Sequence, residues 1–219
     1  MAKSSFPISI RAKSDRYIGM FDRALCNAAQ SIDFIKQVDT LMDEGQVLKN
    51  DDSCYVSHIV WNDRHIVIKR YNHRGFIHSL RHTVKKSRAR RGWRNANLLA
   101  KLHIATPAPL AYIEHHKGFL LWKSYLVTSY IKGQRLQNFL SDDNVTEEKR
   151  ALVTQQAMAL LDKMGKCRIT HGDLKHKNIL VTDDGPVLAD LDAMIAHKSV
   201  LTYWWRRHKD LTRFAKQEK

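Results

Sequence analysis

A polar loop that runs directly into an apolar strand constrains this chain more than any other feature. His171-Gly172-Asp173-Leu174-Lys175-His176-Lys177-Asn178 is followed at once by Ile179-Leu180-Val181, and Asp190-Leu191-Asp192 comes after an Asp183-Asp184-Gly185-Pro186 turn. The pattern reads as a loop, a hairpin and a second acidic segment. An Asp, an Asn later in the same loop, and an Asp beyond a short hairpin is the arrangement that phosphoryl transfer from Mg-ATP needs. Such a transfer asks for in-line positioning and neutralised charge more than for covalent help. Asp173 would orient the attacking hydroxyl and take its proton late. Asn178 and Asp190 offer hard oxygen ligands that suit Mg²⁺. Lys175 is close enough in sequence to reach the transferring phosphate.

Upstream elements come in a compatible order. Arg64-His65-Ile66-Val67-Ile68-Lys69-Arg70-Tyr71 reads as a β-branched strand, preceded by a hairpin partner over 54–61 and an Asn62-Asp63 turn. It resembles the kinase strand motif Val-Ala-Ile-Lys, with Lys69 as the residue for the α and β phosphates. Ser124 to Gly133 reads as a second buried strand running into a linker. In a kinase that linker joins the lobes, and its backbone groups at Thr128, Ser129 and Tyr130 hydrogen-bond the adenine. An ordinary strand and turn explains the composition of this stretch equally well.

With these segments in place, the chain resembles the bacterial lipopolysaccharide core-sugar (heptose/Kdo) kinases of the protein-kinase-like superfamily. The likeness rests on Val47-Leu48-Lys49, Val67 to Asn72, Ser87-Arg88-Ala89-Arg90-Arg91, Ile104 to Ala111, Tyr125 to Gly133, His171 to Leu180 and Asp190-Leu191-Asp192. It implies an α+β, minimal bilobal protein-kinase-like fold with a reduced C-lobe. The expected layout is an N-terminal helical extension over 1–45, an N-lobe over 46–128 and a C-lobe over 129–219. The resemblance also implies ATP-dependent phosphorylation of a sugar hydroxyl on the lipopolysaccharide inner core. ATP and Mg²⁺ are then required, and a core or other anionic glycolipid is the acceptor.

Two departures stand out. The phosphate-covering loop, Lys49 to Val56, has no glycine, although glycine lets backbone N–H groups approach phosphate closely. Gly92 stands where the helix of a kinase carries a Glu for the strand Lys, and no acid occurs between Asp63 and Glu114. A pseudokinase that acts as a binding protein in envelope assembly or stress is therefore a second reading. A small-molecule phosphotransferase of the aminoglycoside kind, which shares the His-Gly-Asp loop, is a third. Its usual large helical C-lobe does not fit a chain that runs only from Asp192 to Lys219 after the last motif.

Thirty-seven Lys and Arg against twenty-two Asp and Glu give a formal charge of +15. The cations cluster at Arg81, Lys85, Lys86, Arg88, Arg90, Arg91 and Arg94, and again in Trp204-Trp205-Arg206-Arg207-His208-Lys209. Such patches suit an acidic substrate or an anionic inner-membrane surface, although the two tryptophans could also belong to the core. Nucleic acid is disfavoured, since no zinc-finger spacing or ribonucleoprotein aromatic motif is present. Cys26, Cys54 and Cys167 are too scattered for a disulfide framework. With no apolar leader or spanning run, the expectation is a cytoplasmic protein, peripheral to the inner face of the inner membrane. Helices are expected around 76–102, over 146–166 with an Asn144/Glu147 capping box, and around 199–216.

Overall fold

A computed structural model describes residues 9–14, 16–72 and 86–216. The chain divides into two compact units, residues up to Arg94 with Ala108–Tyr130, and Asn95–Pro107 with Ile131 onward.

The first unit is a seven-stranded antiparallel sheet with a long helix packed on one face and the first turns of a second on the other. In chain order its elements are β1 (Ser9–Ser14), β2 (Tyr17–Asp22), α1 (Ala28–Glu44), β3 (Gln46–Asp51), β4 (Cys54–Trp61), β5 (Arg64–Tyr71), the start of α2 (Arg88–Lys101), β6 (Pro109–Lys117) and β7 (Leu120–Ser129). The strand order is β1-β2-β6-β7-β5-β4-β3. The β4–β5 hairpin turns at Asn62 and Asp63, both at positive φ (48° and 59°), as a tight two-residue turn demands.

Helix α1 starts at a capping box. The Asn27 side chain accepts from the Gln30 N–H at 2.9 Å, and the Gln30 side chain accepts from the Asn27 N–H at 3.0 Å. Its buried stripe, Ser31, Phe34, Ile35, Val38 and Met42, follows the helical period. Gly45 then passes so close to β4 that a Cβ would collide with Ile59 and Ser57. Of the expected helical extension over 1–45, residues 28–44 are helical. Residues 9–14 form the edge strand β1, and residues 17–22 form β2, which pairs with β1 and, from Tyr17↔His115 to Phe21↔Ala111, with β6.

Strand β5 sorts its side chains by the two-residue period of a strand. Ile66 and Ile68 are wholly buried in the core that α1 covers, with Phe34, Ile35 and Val127. Arg70 points the same way. It meets Asp39 of α1 at 2.8 Å, and Asp39 also receives Lys123 Nζ and Tyr125 Oη, each at 3.0 Å. Val67, Lys69 and Tyr71 alternate to the other face. There Tyr71 packs with Cys54, Ala89 and Tyr112.

Burial alone would raise the pKa of Asp39, but hydrogen bonds from Arg70 and Lys123 outweigh it and hold the carboxyl below its usual range. A depressed folded-state pKa stabilises the fold above the unfolded value of about 3.9. That contribution disappears as pH falls through the folded-state value. Asp39→Asn should therefore lower neutral-pH stability by about 1 kcal/mol, after allowance for partial solvent screening. The gap to wild type should close in acid. Urea melts across a pH series check both points.

The second unit builds its core from Leu99, Leu136, Leu161, Leu174, Ile179 and Leu188, among others. Its further elements are β8 (Gln134–Arg135), α3 (Leu136–Leu140), α4 (Glu147–Lys166), β9 (Ile169–Thr170), β10 (Ile179–Thr182), β11 (Gly185–Leu188), β12 (Ile195–Ala196) and α5 (Val200–Ala215). Strands pair as β11-β10-β8 and β12-β9. The segment 95–107, expected in the N-lobe, belongs here: the Leu188 N–H donates to the Ala105 carbonyl at 3.0 Å, and Ala96, Leu99 and Ile104 join the core. Helix α4 is capped by Thr146, whose side chain accepts from the Lys149 N–H at 3.4 Å, and not by the expected Asn144. The Asn144 N–H is held by the Asp142 carboxylate at 3.0 Å. Among the described residues no helix is long and apolar enough to cross a membrane. Of the first basic cluster, Arg81 and Lys85 lie outside the described residues, as does the start of the helix expected from 76.

Candidate active site

The loop between β9 and β10 is held from both ends. His171 is buried, and its Nε2–H donates to the Ala189 carbonyl at 3.0 Å. The next residue, Gly172, adopts φ +82°, and a Cβ there would collide with the Ala193 carbonyl, so only glycine fits. The Gly172 N–H donates to the Asp210 carboxylate at 3.0 and 3.2 Å, and Arg213 Nη1 donates to the Gly172 carbonyl at 2.8 Å. Helix α5 thus fixes the peptide groups just ahead of Asp173.

Asp173 itself is half-buried. Its Oδ1 lies 2.7 Å from Lys175 Nζ. Asn178 is buried, and its Nδ2 donates to the Asp173 carbonyl at 2.8 Å and to Asp173 Oδ2 at 3.4 Å. Burial works to raise the Asp173 pKa, yet the Lys175 ammonium and the Asn178 amide more than offset it and hold the carboxyl below its usual range. Asp173 is therefore a carboxylate at neutral pH, able to accept a hydrogen bond from a hydroxyl.

The same framework brings Asp190 next to the loop. The Ala189 N–H donates to the Asn178 carbonyl at 2.9 Å, so β10 and β11 seat the residue before Asp190 against both His171 and Asn178. Asp190 takes the left-handed conformation, φ 59° and ψ 56°. This is a costly state for a residue with a Cβ, and one that functional sites commonly retain. Asn95 of α2 fixes the turn that follows, with Nδ2 donating to the Leu191 and Met194 carbonyls at 2.7 and 3.1 Å.

The fit to Mg²⁺ can be judged from these donors. Nδ2 of Asn178 donates to Asp173, so a metal here would be met by Oδ1, and Asp190 could add a carboxylate. Two hard oxygens suit a cation that takes its remaining ligands from water and substrate phosphates. Among the described residues no group of three His, Cys, Asp or Glu side chains could hold a metal ion by itself.

Asp173, Lys175, Asn178 and Asp190 are thus collected by one unit. Lys69 and Thr128–Tyr130 are placed by the other unit's sheet. Lys69 pairs in register with Val56 and Leu126, and its Nζ stands 5.1 Å from the Tyr71 ring centre. Arg88 stacks on the same ring at 4.6 Å. Thr128 pairs with Val67 and Pro109. The N–H groups of Ser129 and Tyr130 donate to the carbonyls of Ala108 and His65, both at 3.0 Å. Those two donors are engaged within the sheet, so any adenine contact from this segment must use other backbone groups. In the β3–β4 turn the Asp51 carboxylate accepts from the Ser53 and Cys54 N–H groups at 2.8 Å and meets Lys49 at 2.6 Å. An acidic side chain thereby occupies turn donors that a glycine-rich loop would offer to phosphate.

Sequence reasoning missed Asp210, Arg213 and Asn95. The signal for the first was an acid on the helical stripe Tyr203, Arg207, Asp210, Phe214, where apolar residues are expected. A hollow of about 830 Å³ between α3 and α4 touches the loop only through His176. Asp173 and Asp190 do not line it, so it lies apart from these two carboxylates.

A model of the lipopolysaccharide kinase (Kdo/WaaP) family matches residues 33–218. A solved structure described as WaaP in complex with acyl carrier protein aligns with a TM-score of 0.59 at 20% identity. It covers 83% of this chain and 73% of its own. That likeness shows the α+β kinase-like fold.

Proposed function

This chain belongs to the lipopolysaccharide kinase (Kdo/WaaP) family and is a kinase, and we propose that it transfers the γ-phosphoryl group of ATP to a sugar hydroxyl of the lipopolysaccharide core. The observation that carries the reading is the Asp173–Lys175–Asn178 cluster, held by α5 and joined to Asp190 through Ala189. Asp173 accepts the hydrogen bond of the attacking hydroxyl and aligns its oxygen with the phosphorus. As the new P–O bond forms, the bond to ADP breaks and the hydroxyl proton passes to Asp173. Lys175, which keeps Asp173 ionised before the reaction, is placed to donate to the transferring phosphate oxygens. Asn178 Oδ1 and Asp190 would hold Mg²⁺, which when bound would neutralise charge on the phosphates. Lys69 is assigned to the α and β phosphates. The acceptor places the protein at the inner face of the inner membrane. The structural relative is a complex with acyl carrier protein, and a carrier of that kind is a candidate partner here.

An acceptor panel tests the proposal. The full chain is incubated with γ-labelled ATP, Mg²⁺ and, separately, lipopolysaccharide core oligosaccharide, a soluble aminoglycoside and a generic protein substrate. Label is expected on the core sugar alone. Label on the aminoglycoside and not on the core would replace this reading.

A further inference from the structure

Helix α5 has two apolar faces. The inner one buries Tyr203, Asp210 and Phe214, and the Tyr203 hydroxyl donates to the Gly165 carbonyl at 3.1 Å. The outer one leaves Leu201 83% exposed, Trp204 60% and Trp205 58%. Leu201, Trp204, Trp205 and His208 recur at helical steps and form one stripe. The alternative that these tryptophans belong to the core is therefore excluded.

Large apolar surface of this kind, rimmed by polar groups, marks a contact site. The rim here is cationic. Lys209 Nζ stands 3.5 Å from the Trp205 ring centre and the Arg206 guanidinium 5.9 Å. Lys198, just before the helix, is exposed. The one acid of the helix, Asp210, is buried on the opposite face. The outer stripe therefore presents indole, aliphatic and ammonium groups with no carboxylate among them.

Charge complementarity calls for an anionic occupant, and shape selects its class. The stripe is the convex edge of a single helix. A protein partner would have to supply a matching groove, whereas a bilayer yields to a convex edge without one. Indole rings favour the headgroup level of a membrane, lysine stems reach from it to water, and basic residues gain from anionic lipid. We propose that the outer face of α5, led by Leu201, Trp204 and Trp205, seats this chain on anionic phospholipid headgroups. The inference deepens the glycolipid-kinase reading and gives it a geometry. The same helix grips Gly172 from its inner side through Asp210 and Arg213, so docking would hold the Asp173 loop about one helix diameter, roughly 10–12 Å, from the headgroups.

Sedimentation with vesicles tests it without requiring phosphoryl transfer. The full chain should bind vesicles of phosphatidylethanolamine with phosphatidylglycerol, with blue-shifted tryptophan emission, and bind phosphatidylcholine vesicles far less. Trp204→Ser/Trp205→Ser should weaken binding by at least about tenfold, and Lys198→Glu/Lys209→Glu should remove the preference for anionic lipid. Both variants alter exposed side chains, and thermal melts report whether they fold. Equal binding by wild type and the tryptophan variant, or equal binding to both vesicle types, would overturn the proposal. So would an absence of vesicle binding with capture of an acidic protein through this face. Transfer to a detergent-dispersed core acceptor separates the two readings. If neither wild type nor variant transfers there, the kinase assignment to core sugar fails while the vesicle result stands.

Discussion

Asp173→Asn is expected to lower the transfer rate by about a thousandfold, the middle of the range for a positioned general base, with nucleotide affinity close to wild type. The substitution is nearly isosteric, and the loop does not depend on the lost charge for its shape. Asn178 anchors on the Asp173 backbone carbonyl at 2.8 Å, and Gly172 is held by Asp210 and Arg213. What the amide cannot do is take the hydroxyl proton, and it no longer offers Lys175 an anionic partner. Initial rates with labelled ATP measure the loss, and calorimetric titration of Mg-ATP measures affinity. A fall of less than tenfold would remove Asp173 from the role of base.

Asp210→Ala should destabilise the protein by about 3 kcal/mol, the upper end for an unsatisfied buried donor, and abolish activity with it. The carboxylate is buried and takes the Gly172 N–H on both oxygens. Gly172 lies against Ala193, so its N–H would be left facing a space that the alanine methyl does not fill. Asp210→Asn keeps an acceptor oxygen and should recover part of both losses. Urea melts and transfer rates on the two variants provide the check. A change within about 0.5 kcal/mol, the scatter of ordinary surface substitutions, would mean that the loop is held by something else.

Much of the candidate site was legible because its residues are near one another in sequence. The spacing of Asp173, Asn178 and Asp190 encodes a loop and a hairpin, and the hairpin register from Ile179↔Leu188 to Thr182↔Gly185 brings the ends together. The α1 stripe and the β5 alternation could be read in the same way, since each repeats with the period of its element. Contacts over long separations left no such trace. Asp210 meets Gly172 across 38 residues and Asn95 meets Leu191 across 96. The helical stripe of α5 marks Asp210 as buried but does not name Gly172 as its partner, and nothing periodic marks Asn95 with Leu191. Residues 95–107 continue a helix whose first turns belong to the first unit, and it is the Ala105–Leu188 hydrogen bond, the Asn95 side chain and the burial of Ala96, Leu99 and Ile104 that reveal their allegiance. The strands at 9–22 lie at one end of the sheet, and their place depends on the partner strand, β6, from far along the chain. Gly92 is a different case. Family membership makes the chain a kinase even though no acid occupies that helical position.

The most direct test of the account is the identity of the phosphorylated atom. Core oligosaccharide recovered after incubation with wild-type protein, γ-labelled ATP and Mg²⁺ should carry the label as a phosphate monoester on a sugar hydroxyl, and the Asp173→Asn reaction should leave it unlabelled. Label confined to free phosphate, or found equally in both reactions, would contradict the assignment of this loop as the phosphoryl-transfer site.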